Sequence, residues 1–214
     1  MKIVSWNLLH RAGAGLGDVA DLIGRYQPDL LLMQEATEMF AGLTTIVGGA
    51  FVREPLPGRA HGLAVWMPAP TRQPPVVFAL PAGTFVRRIC QIVDFDSFAV
   101  ANVHLSHGQM MNRRQLRFIA RRLPPRAALM GDYNMLGPAL LPGFHDAGPR
   151  RETHRMSGRL PLRLDRCLLR GLVCEQADVL PRGASDHHPI MLRLTIASEV
   201  GQQQPHGRVS KMPK

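Results

Sequence analysis

Residues 127–134 of this chain read Ala-Ala-Leu-Met-Gly-Asp-Tyr-Asn, a short apolar run that ends in two polar side chains. The run Ala127–Met130 predicts a buried strand. Gly131 gives the backbone the freedom to turn directly after that strand. Asp132 and Asn134 then project from one tight bend. In mixed α/β folds the carboxyl ends of strands are where functional sites are built, so this bend is the starting point for a site.

The same pattern, a polar side chain at the end of an apolar run, recurs along the chain. It recurs at Asn7 in Ser5-Trp6-Asn7, Glu35 after Leu30–Gln34, His104 in Ala101-Asn102-Val103-His104-Leu105, Asp165 in Leu164-Asp165-Arg166, and Asp186 with His187 in Ser185-Asp186-His187-His188-Pro189. Each residue alone has an ordinary explanation, as a loop or turn residue, a core histidine or a surface ion pair. Together they supply one kind of chemistry.

Oxygen ligands for a hard cation are the first part of that chemistry. The carboxylates of Glu35, Asp186 and Asp132, with an amide oxygen from Asn7 or Asn134, form the environment that Mg²⁺ prefers. Mn²⁺ is the alternative ion for the same ligands. The metal would neutralise the charge of a substrate phosphate and polarise its P–O bond.

Groups that handle a water molecule and a proton are the second part. Asp132 is the natural base or water-orienting group for hydrolysis. His187 can donate a hydrogen bond to a phosphoryl oxygen, and Asp165 can fix the tautomer of that histidine. No Ser-His-Asp set, phosphate-binding loop or dinucleotide fingerprint competes, because Gly13–Gly17 has the wrong spacing and no following lysine.

Strand-like runs outnumber helical ones. The runs are Ile3–Leu8, Leu30–Gln34, Gly62–Met67, Val86–Asp94, Phe98–Leu105, Ala127–Met130, Leu164–Leu169, Val173–Val179 and Ile190–Leu194. Helical periodicity covers Leu16–Tyr26 and Asn112–Leu123, the second with Asn112 as its N-cap. The order strand, helix, strand followed by mostly extended structure predicts an α/β (α+β) fold with mixed sheets.

The length of 214 residues suits one domain. We place the domain at residues 1–196 and a disordered tail at 197–214, because the sequence is polar and aperiodic from about Ser198. No apolar run approaches the roughly 18–20 residues of a membrane span. The N-terminus lacks the apolar core of a secretory signal, so we expect a cytoplasmic protein. A disulfide framework or cysteine-based zinc site is not expected from three unclustered cysteines, Cys90, Cys167 and Cys174.

The net charge of +10 suggests a polyanionic partner: nucleic acid, phospholipid headgroups or a phosphorylated metabolite. Arginine supplies almost all of this charge, since the only lysines are Lys2, Lys211 and Lys214. An Arg-rich codon usage would produce the same composition, so charge alone leaves a solvated basic surface as an equal explanation.

Six short motifs in order give the chain a resemblance to a known family. The set Trp6-Asn7, Gln34-Glu35, Asn102-Val103-His104-Leu105, Gly131-Asp132-Tyr133-Asn134, Leu164-Asp165-Arg166 and Ser185-Asp186-His187-His188-Pro189 resembles the endonuclease/exonuclease/phosphatase superfamily. The resemblance runs from residue 6 to about 194. It implies the DNase I-like fold, a four-layered α/β sandwich with two packed mixed β-sheets and a metal-dependent phosphoesterase site at one end.

The resemblance also implies a role for each matched residue. Glu35 matches the principal Mg²⁺ ligand, with Asn7 and Asp186 near it. Asp132 matches the residue that activates the attacking water, and Asn134 matches a contact to substrate and nucleophile. His187 matches the histidine that holds the scissile phosphate, and Asp165 matches the carboxylate partner of that histidine.

Two further roles follow from the resemblance. Abasic-site endonucleases of the superfamily usually carry Tyr where this chain has His104, whereas Asn-x-His-Leu is common in the phosphatase, sphingomyelinase and DNase-like branches. A histidine there can protonate the leaving oxygen. Family members often place a substrate-binding arginine on the helix predicted at Asn112–Leu123, a role that Arg113 or Arg114 can take.

We therefore expect a Mg²⁺-dependent phosphoester hydrolase, acting as a monomer. The basic charge favours phosphodiesters over monoesters. The alternatives are a DNA endonuclease, exonuclease or repair nuclease, and a catalytically inactive scaffold that binds phosphorylated ligands or nucleic acid. Arg114, Arg117 and Arg121 form a basic stripe on the second helix, which would attract a polyanion if it flanks the site.

Overall fold

Strands dominate the computed structural model, which describes residues 1–82, 86–156 and 160–197. The described strands are β1 (Lys2–Asn7), β2 (Leu30–Ala36), β3 (Ala50–Pro55), β4 (Gly62–Met67), β5 (Val76–Ala79), β6 (Ile89–Asp94), β7 (Ala99–His104), β8 (Ala127–Asp132), β9 (His145–Asp146), β10 (His154–Met156), β11 (Leu160–Leu162), β12 (Asp165–Arg170), β13 (Leu172–Val179) and β14 (Ile190–Ile196). The helices are α1 (Leu16–Tyr26), α2 (Leu43–Ile46), α3 (Gln109–Ala120) and a 3₁₀ turn at Glu38–Gly42.

Two six-stranded mixed sheets form the body of the domain. The first has the order β13-β14-β1-β2-β4-β3, and the second has the order β5-β6-β7-β8-β12-β9. Parallel pairing joins β1 to β2 in the first sheet and β7 to β8 in the second, while their other strand pairs are antiparallel. The remaining pair, β10 and β11, forms a separate two-stranded ribbon.

The core consists of layers because successive strand residues point to opposite faces. In β1, Ile3 packs between the sheets with Val100 and Met130 of the second sheet. Its neighbour Val4 points outward and packs against α1. On the other side, a separate cluster packs Leu116 and the rest of the apolar face of α3 on the outside of the second sheet. Helix, sheet, sheet and helix are the four layers, so the predicted α/β sandwich is confirmed.

A chain of buried polar side chains crosses the space between the sheets. Gln34 Nε2 donates to Asn102 Oδ1 at 2.8 Å and to Ser5 Oγ at 3.1 Å. Asn102 Nδ2 in turn donates to the carbonyl oxygen of Ala64 at 3.0 Å and to Gln91 Oε1 at 3.3 Å. Because buried polar groups are stable only with partners in defined positions, this network fixes how the strands of one sheet lie against those of the other.

The second helix begins earlier than its periodicity predicts. α3 starts at Gln109 instead of Asn112, and Gly108 is its N-cap. The predicted cap Asn112 is fully buried inside the helix, where its Nδ2 donates to the backbone oxygens of Tyr133 at 2.6 Å and Asn134 at 3.1 Å. The residue that was expected to cap the start of the helix therefore attaches the helix to the Gly-Asp-x-Asn turn.

Several short or edge elements were not predicted, namely β3, β5, β9, β10, β11, α2 and the 3₁₀ turn. The strand expected over Val86–Asp94 is ordered as a strand only from Ile89. Residues 198–214 lie outside the described part of the chain, so the disordered tail and the domain boundary stay predictions. No helix in the described ranges has both the length and the apolarity to cross a membrane.

Candidate active site

The predicted polar residues meet where the two parallel strand pairs end. In the first sheet β1 ends with Asn7, and β2 carries Glu35 one residue before its end. In the second sheet β7 and β8 end with His104 and Asp132. His104 is directly opposite Asp132 in the strand register. On the other side of β8, Asp165 opens the antiparallel β12 and also lies opposite Asp132. The pairing of strands thus gathers these side chains around Asp132.

One hydrogen bond joins the two sheets at this edge. Asn7 Nδ2 donates to Oδ2 of Asp132 at 2.9 Å, while Oδ1 accepts the backbone N–H of Asn134, also at 2.9 Å. The turn depends on Gly131, which has a φ of +143° and approaches Val103 so closely that a Cβ would lie 2.0 Å from its carbonyl oxygen. The carboxylate of Asp132 is therefore held in one orientation.

Two histidines flank the Asp132 carboxylate. His104 Nε2 lies 3.3 Å and His187 Nε2 lies 3.8 Å from Asp132 Oδ2. Burial opposes ionisation of Asp132, but the two imidazoles outweigh it and lower the pKa of Asp132. Burial lowers the pKa of His104 to about 3, and the positive charge of Arg88 acts in the same direction. At neutral pH, Asp132 is therefore a carboxylate and His104 a neutral imidazole.

Asp165 orients His187 from the opposite side. His187 Nδ1 lies 2.8 Å from Oδ2 of the fully buried Asp165. Thr153 Oγ1 accepts the backbone N–H groups of Leu164 at 3.1 Å and Asp165 at 3.0 Å, which fixes the start of β12. Burial lowers the pKa of His187, but Asp165 and Asp132 outweigh it and raise that pKa to about 10. His187 is therefore an imidazolium at neutral pH in the metal-free protein.

Glu35 lies at a β-bulge in β2, with a φ of +58°. Bulges re-aim a side chain, and this one directs the carboxylate toward His10. Oε2 of Glu35 accepts the backbone N–H of His10 at 3.2 Å and lies 2.5 Å from His10 Nδ1. Burial opposes ionisation of Glu35, but His104 and His10 outweigh it and lower its pKa.

The residues around Glu35 fit a hard divalent cation. Within the described ranges, Oε1 of Glu35 accepts no hydrogen bond, so this oxygen is available to a ligand. Asn7 and Asp132 add an amide oxygen and a second ionised carboxylate at the same edge of the two sheets. Oxygen donors with two negative charges are the set that Mg²⁺ and Mn²⁺ prefer.

Asp186 contacts a histidine of β10. Its Oδ2 is 3.8 Å from His154 Nδ1. This contact does not involve the oxygen ligands around Glu35, so the role of Asp186 as a Mg²⁺ ligand stays a prediction.

The two candidate substrate arginines lie on α3, and in the described part of the chain neither forms a hydrogen bond or ion pair with His104, Asp132 or His187. Arg114 lines a groove of about 550 Å³ with Arg117 of α3, with the C-cap residue Arg121 and with residues 79–81. Arg113 is partly buried, and its Nε has no hydrogen-bond partner in the described structure. Their role in substrate binding also stays a prediction.

Five residues of the site were not singled out from the sequence: His10, His61, Arg88, Thr153 and His154. The rings of His10 and His61 are stacked with centroids 3.8 Å apart. Arg88 is buried, and the charges of Asp132 and Glu35 counteract the effect of that burial on its pKa. His10 and His61 lie in loops and Arg88 precedes a strand, so the strand-end pattern gives no signal for them.

The chain resembles known proteins in both sequence and fold. A sequence profile of the Endonuclease/Exonuclease/phosphatase family matches residues 4–187. A member of that family from Bacteroides vulgatus superposes with a TM-score of 0.75 at 16% identity, over 91% of this chain and 98% of its own. The mannosyl-6-phosphatase of Bacteroides thetaiotaomicron gives 0.72 at 16% identity, over 92% and 100%.

A third structure, D. rerio TDP2 complexed with a single-strand DNA product, has a TM-score of 0.69 at 17% identity, over 91% of this chain and 98% of its own. No curated protein sequence matches the chain. At such identities the solved structures show a shared fold, and the sequence profile covers most of the domain. The chain belongs to the Endonuclease/Exonuclease/phosphatase family of phosphoester hydrolases.

Proposed function

We propose that this protein is a Mg²⁺-dependent phosphodiesterase in which a water molecule attacks phosphorus. The observation that carries the proposal is the set of contacts from Asn7 through Asp132 and His187 to Asp165, which joins both sheets at one cleft. A purely structural turn would not need two histidines and two buried carboxylates in mutual contact. Mn²⁺ can replace Mg²⁺ at the same oxygen ligands.

Glu35 and Asn7 would hold the metal. When bound there, the ion supplies charge neutralisation of the phosphate and polarisation of its P–O bond. His10 contacts the Glu35 carboxylate through both its backbone and its ring, so it fixes the orientation of this ligand.

Asp132 orients the attacking water. Its lowered pKa keeps it ionised, so one carboxylate oxygen can accept a hydrogen bond from the water while Asn7 and Asn134 hold the side chain in place. His104 lies against the same carboxylate as a neutral imidazole. Protonation of the leaving oxygen requires an imidazolium, so we assign His104 to the positioning of Asp132 instead.

His187 holds the phosphate and carries a proton toward it. Its raised pKa keeps Nε2 protonated, and Nδ1 is occupied by Asp165, so Nε2 is the donor that remains for a phosphoryl oxygen. As the new P–O bond forms, the bond to the leaving oxygen breaks, and a donor of this kind stabilises the charge that develops on oxygen. Asn134 follows Asp132 in the same turn, and we assign it a contact to substrate and nucleophile.

The net charge of +10 favours substrates with several phosphates or an anionic backbone. The basic groove along α3, lined by Arg114, Arg117 and Arg121, favours a nuclease as the second candidate function. A single-strand DNA product is bound by TDP2 of D. rerio, and the B. thetaiotaomicron neighbour is a mannosyl-6-phosphatase. We expect the protein to act as a monomer in the cytoplasm.

The proposal is tested by measuring hydrolysis of bis(p-nitrophenyl) phosphate and of p-nitrophenyl phosphate. Each substrate is measured after chelation and again after addition of Mg²⁺ or Mn²⁺. We expect metal-dependent cleavage of the diester, with Glu35→Gln strongly impaired. Glu175→Gln is the matched control, because Glu175 is exposed on β13. Full activity of Glu35→Gln would contradict the metal assignment.

Plasmid DNA and an abasic-site duplex, incubated with the same protein at low salt, separate the two candidate functions. Cleavage of either substrate would favour the nuclease. Binding of phosphorylated ligands without hydrolysis of any substrate would instead favour an inactive scaffold.

A further inference from the structure

A second imidazole lies beside His187, and the proposed hydrolysis does not use it. His154 opens β10, and its backbone forms an antiparallel bridge with His187. The backbone N–H of His188 donates to the carbonyl oxygen of Thr153 at 2.6 Å, and the backbone N–H of Arg155 donates to the carbonyl oxygen of Asp186 at 3.3 Å. These backbone contacts hold His154 against the segment that carries Asp186 and His187.

The side chains of this cluster have polar atoms without partners. His154 Nδ1 and Asp186 Oδ1 are both buried, and neither has a hydrogen-bond partner in the described structure. The ring of His154 lies 4.3 Å from that of His187 between centroids. Buried polar groups are nearly always paired. Two unpaired atoms on side chains that approach within 3.8 Å of each other therefore indicate a ligand position.

The spacing of the cluster suits a small cation with nitrogen ligands. One donor atom from each of His154, Asp186 and His187 lies within 4.8 Å of the other two. Ligands of tetrahedral zinc, each about 2.0–2.1 Å from the ion, lie roughly 3.4 Å apart. The distance of 3.8 Å from His154 Nδ1 to Asp186 Oδ2 is close to that separation.

We propose that His154, Asp186 and His187 bind a transition-metal dication, Zn²⁺ in the first instance, through a ligand set that shares no residue with Glu35 and Asn7. Two imidazoles and one carboxylate are a ligand set typical of zinc, with water in the fourth position. Mg²⁺ prefers oxygen ligands, so it does not compete well for this set. The buried carboxylates Asp132 and Asp165 near His187 add negative charge that favours a cation here.

Zinc in this position occupies the imidazole that would otherwise hold the scissile phosphate. Because a histidine must be deprotonated to bind metal, zinc also displaces the proton that His187 would donate. Zn²⁺ is therefore expected to inhibit the Mg²⁺-supported reaction. This consequence rests on the proposed function, whereas binding of the ion does not.

Calorimetric titration of the whole chain with Zn²⁺, in the presence of excess Mg²⁺, tests the site. We expect one tightly bound Zn²⁺ per chain, with affinity reduced roughly 100-fold or more in His154→Ala. His154→Phe keeps the ring volume and should lose the ion equally. His145→Ala, at an exposed histidine in β9, is the matched control and should bind Zn²⁺ normally.

His10→Ala distinguishes this site from the other histidine cluster, His10 with His61 and Glu35. Retained Zn²⁺ affinity in this variant supports the proposal, whereas loss of affinity overturns it. Unchanged affinity in both His154 variants, or displacement of Zn²⁺ by stoichiometric Mg²⁺, also overturns it. Visible absorption of Co²⁺ in the same proteins reports the ligand geometry without any need for hydrolysis. A failure to hydrolyse phosphodiesters therefore leaves this result intact.

Discussion

The two sheets contribute unequally to the site. The second sheet supplies His104, Asp132 and Asp165, all of which are at most 5% exposed and lie on strands paired in register. The first sheet supplies Asn7 and Glu35, and the carboxylate of Glu35 is held by a histidine from the loop after β1. Strand pairing fixes the buried half, whereas the Glu35 half also depends on loop conformation. Substitutions in the buried half should act on the chemical step, and substitutions in the Glu35 half should act on metal retention.

Asp132→Asn should have the largest effect, because it removes the charge that orients water and faces both histidines. We expect kcat/KM for a phosphodiester to fall by about 10²–10⁴-fold, measured at saturating Mg²⁺. Asp96→Asn is the control, since Asp96 is exposed and its left-handed backbone conformation suits Asn. A loss below tenfold in a folded Asp132→Asn protein would mean that the buried half is structural.

His10→Ala tests the half of the site that carries Glu35. Loss of the ring leaves the carboxylate less firmly oriented, so we expect the Mg²⁺ concentration for half-maximal activity to rise about 10–100-fold. The value of kcat at saturating Mg²⁺ should change little. His107→Ala, at an exposed histidine, serves as the control. A fall in kcat that Mg²⁺ does not restore would place His10 in the chemical step instead.

The pH dependence of stability is a third test, now of the buried half alone. The pKa of His187 is raised from an ordinary 6.5 to about 10, so the folded protein binds this proton more tightly than the unfolded chain. The resulting stabilisation is complete below pH 6.5 and is lost as the pH rises toward 10. His187→Gln in chelator should remove this pH-dependent contribution, so the difference in Tm between pH 6 and pH 9.5 should be smaller in the variant than in the wild type. Parallel unfolding curves for wild type and variant at pH 6 and pH 9.5 would contradict the assignment.

Arg114→Ala should have the smallest effect, because Arg114 lies on the α3 groove outside both halves of the site. Hydrolysis of a small phosphodiester should change by less than about twofold, as for most surface substitutions. With an oligonucleotide, the salt dependence of binding should weaken by about one phosphate contact. An unchanged salt slope would indicate that the groove does not contact nucleic acid.

Strand pairing explains why the meeting of several polar residues could be predicted from the sequence, while their roles stay predictions. Asn7, His104, Asp132 and Asp165 stand at strand ends, and a period of two with a fixed register carries such residues to the same edge. The long central strands were predicted for the same reason, because both of their faces are buried and their sequences are apolar. Edge strands such as β3 and β5 carry mixed, partly exposed sequences, and they were missed.

The contacts made by loops could not be predicted. His10 reaches Glu35 only because the chain after β1 folds back, and His154 reaches His187 through a backbone bridge between distant segments. No local period relates such positions, since their distance in space depends on the whole tertiary structure. The pKa of His104 is a similar case, because its fall depends on burial and on Arg88.

The buried polar network of Ser5, Gln34, Gln91 and Asn102 has a consequence for how the sequence of such a domain can change in evolution. An entirely aliphatic interface tolerates small slips between two sheets, whereas amides with specific partners resist them. A domain whose two sheets are aligned by such a network can exchange or lengthen the loops around its site while its reactive groups keep their alignment. Protein engineers who graft foreign loops onto this scaffold should therefore leave the four network residues unchanged and vary only the loops around the site.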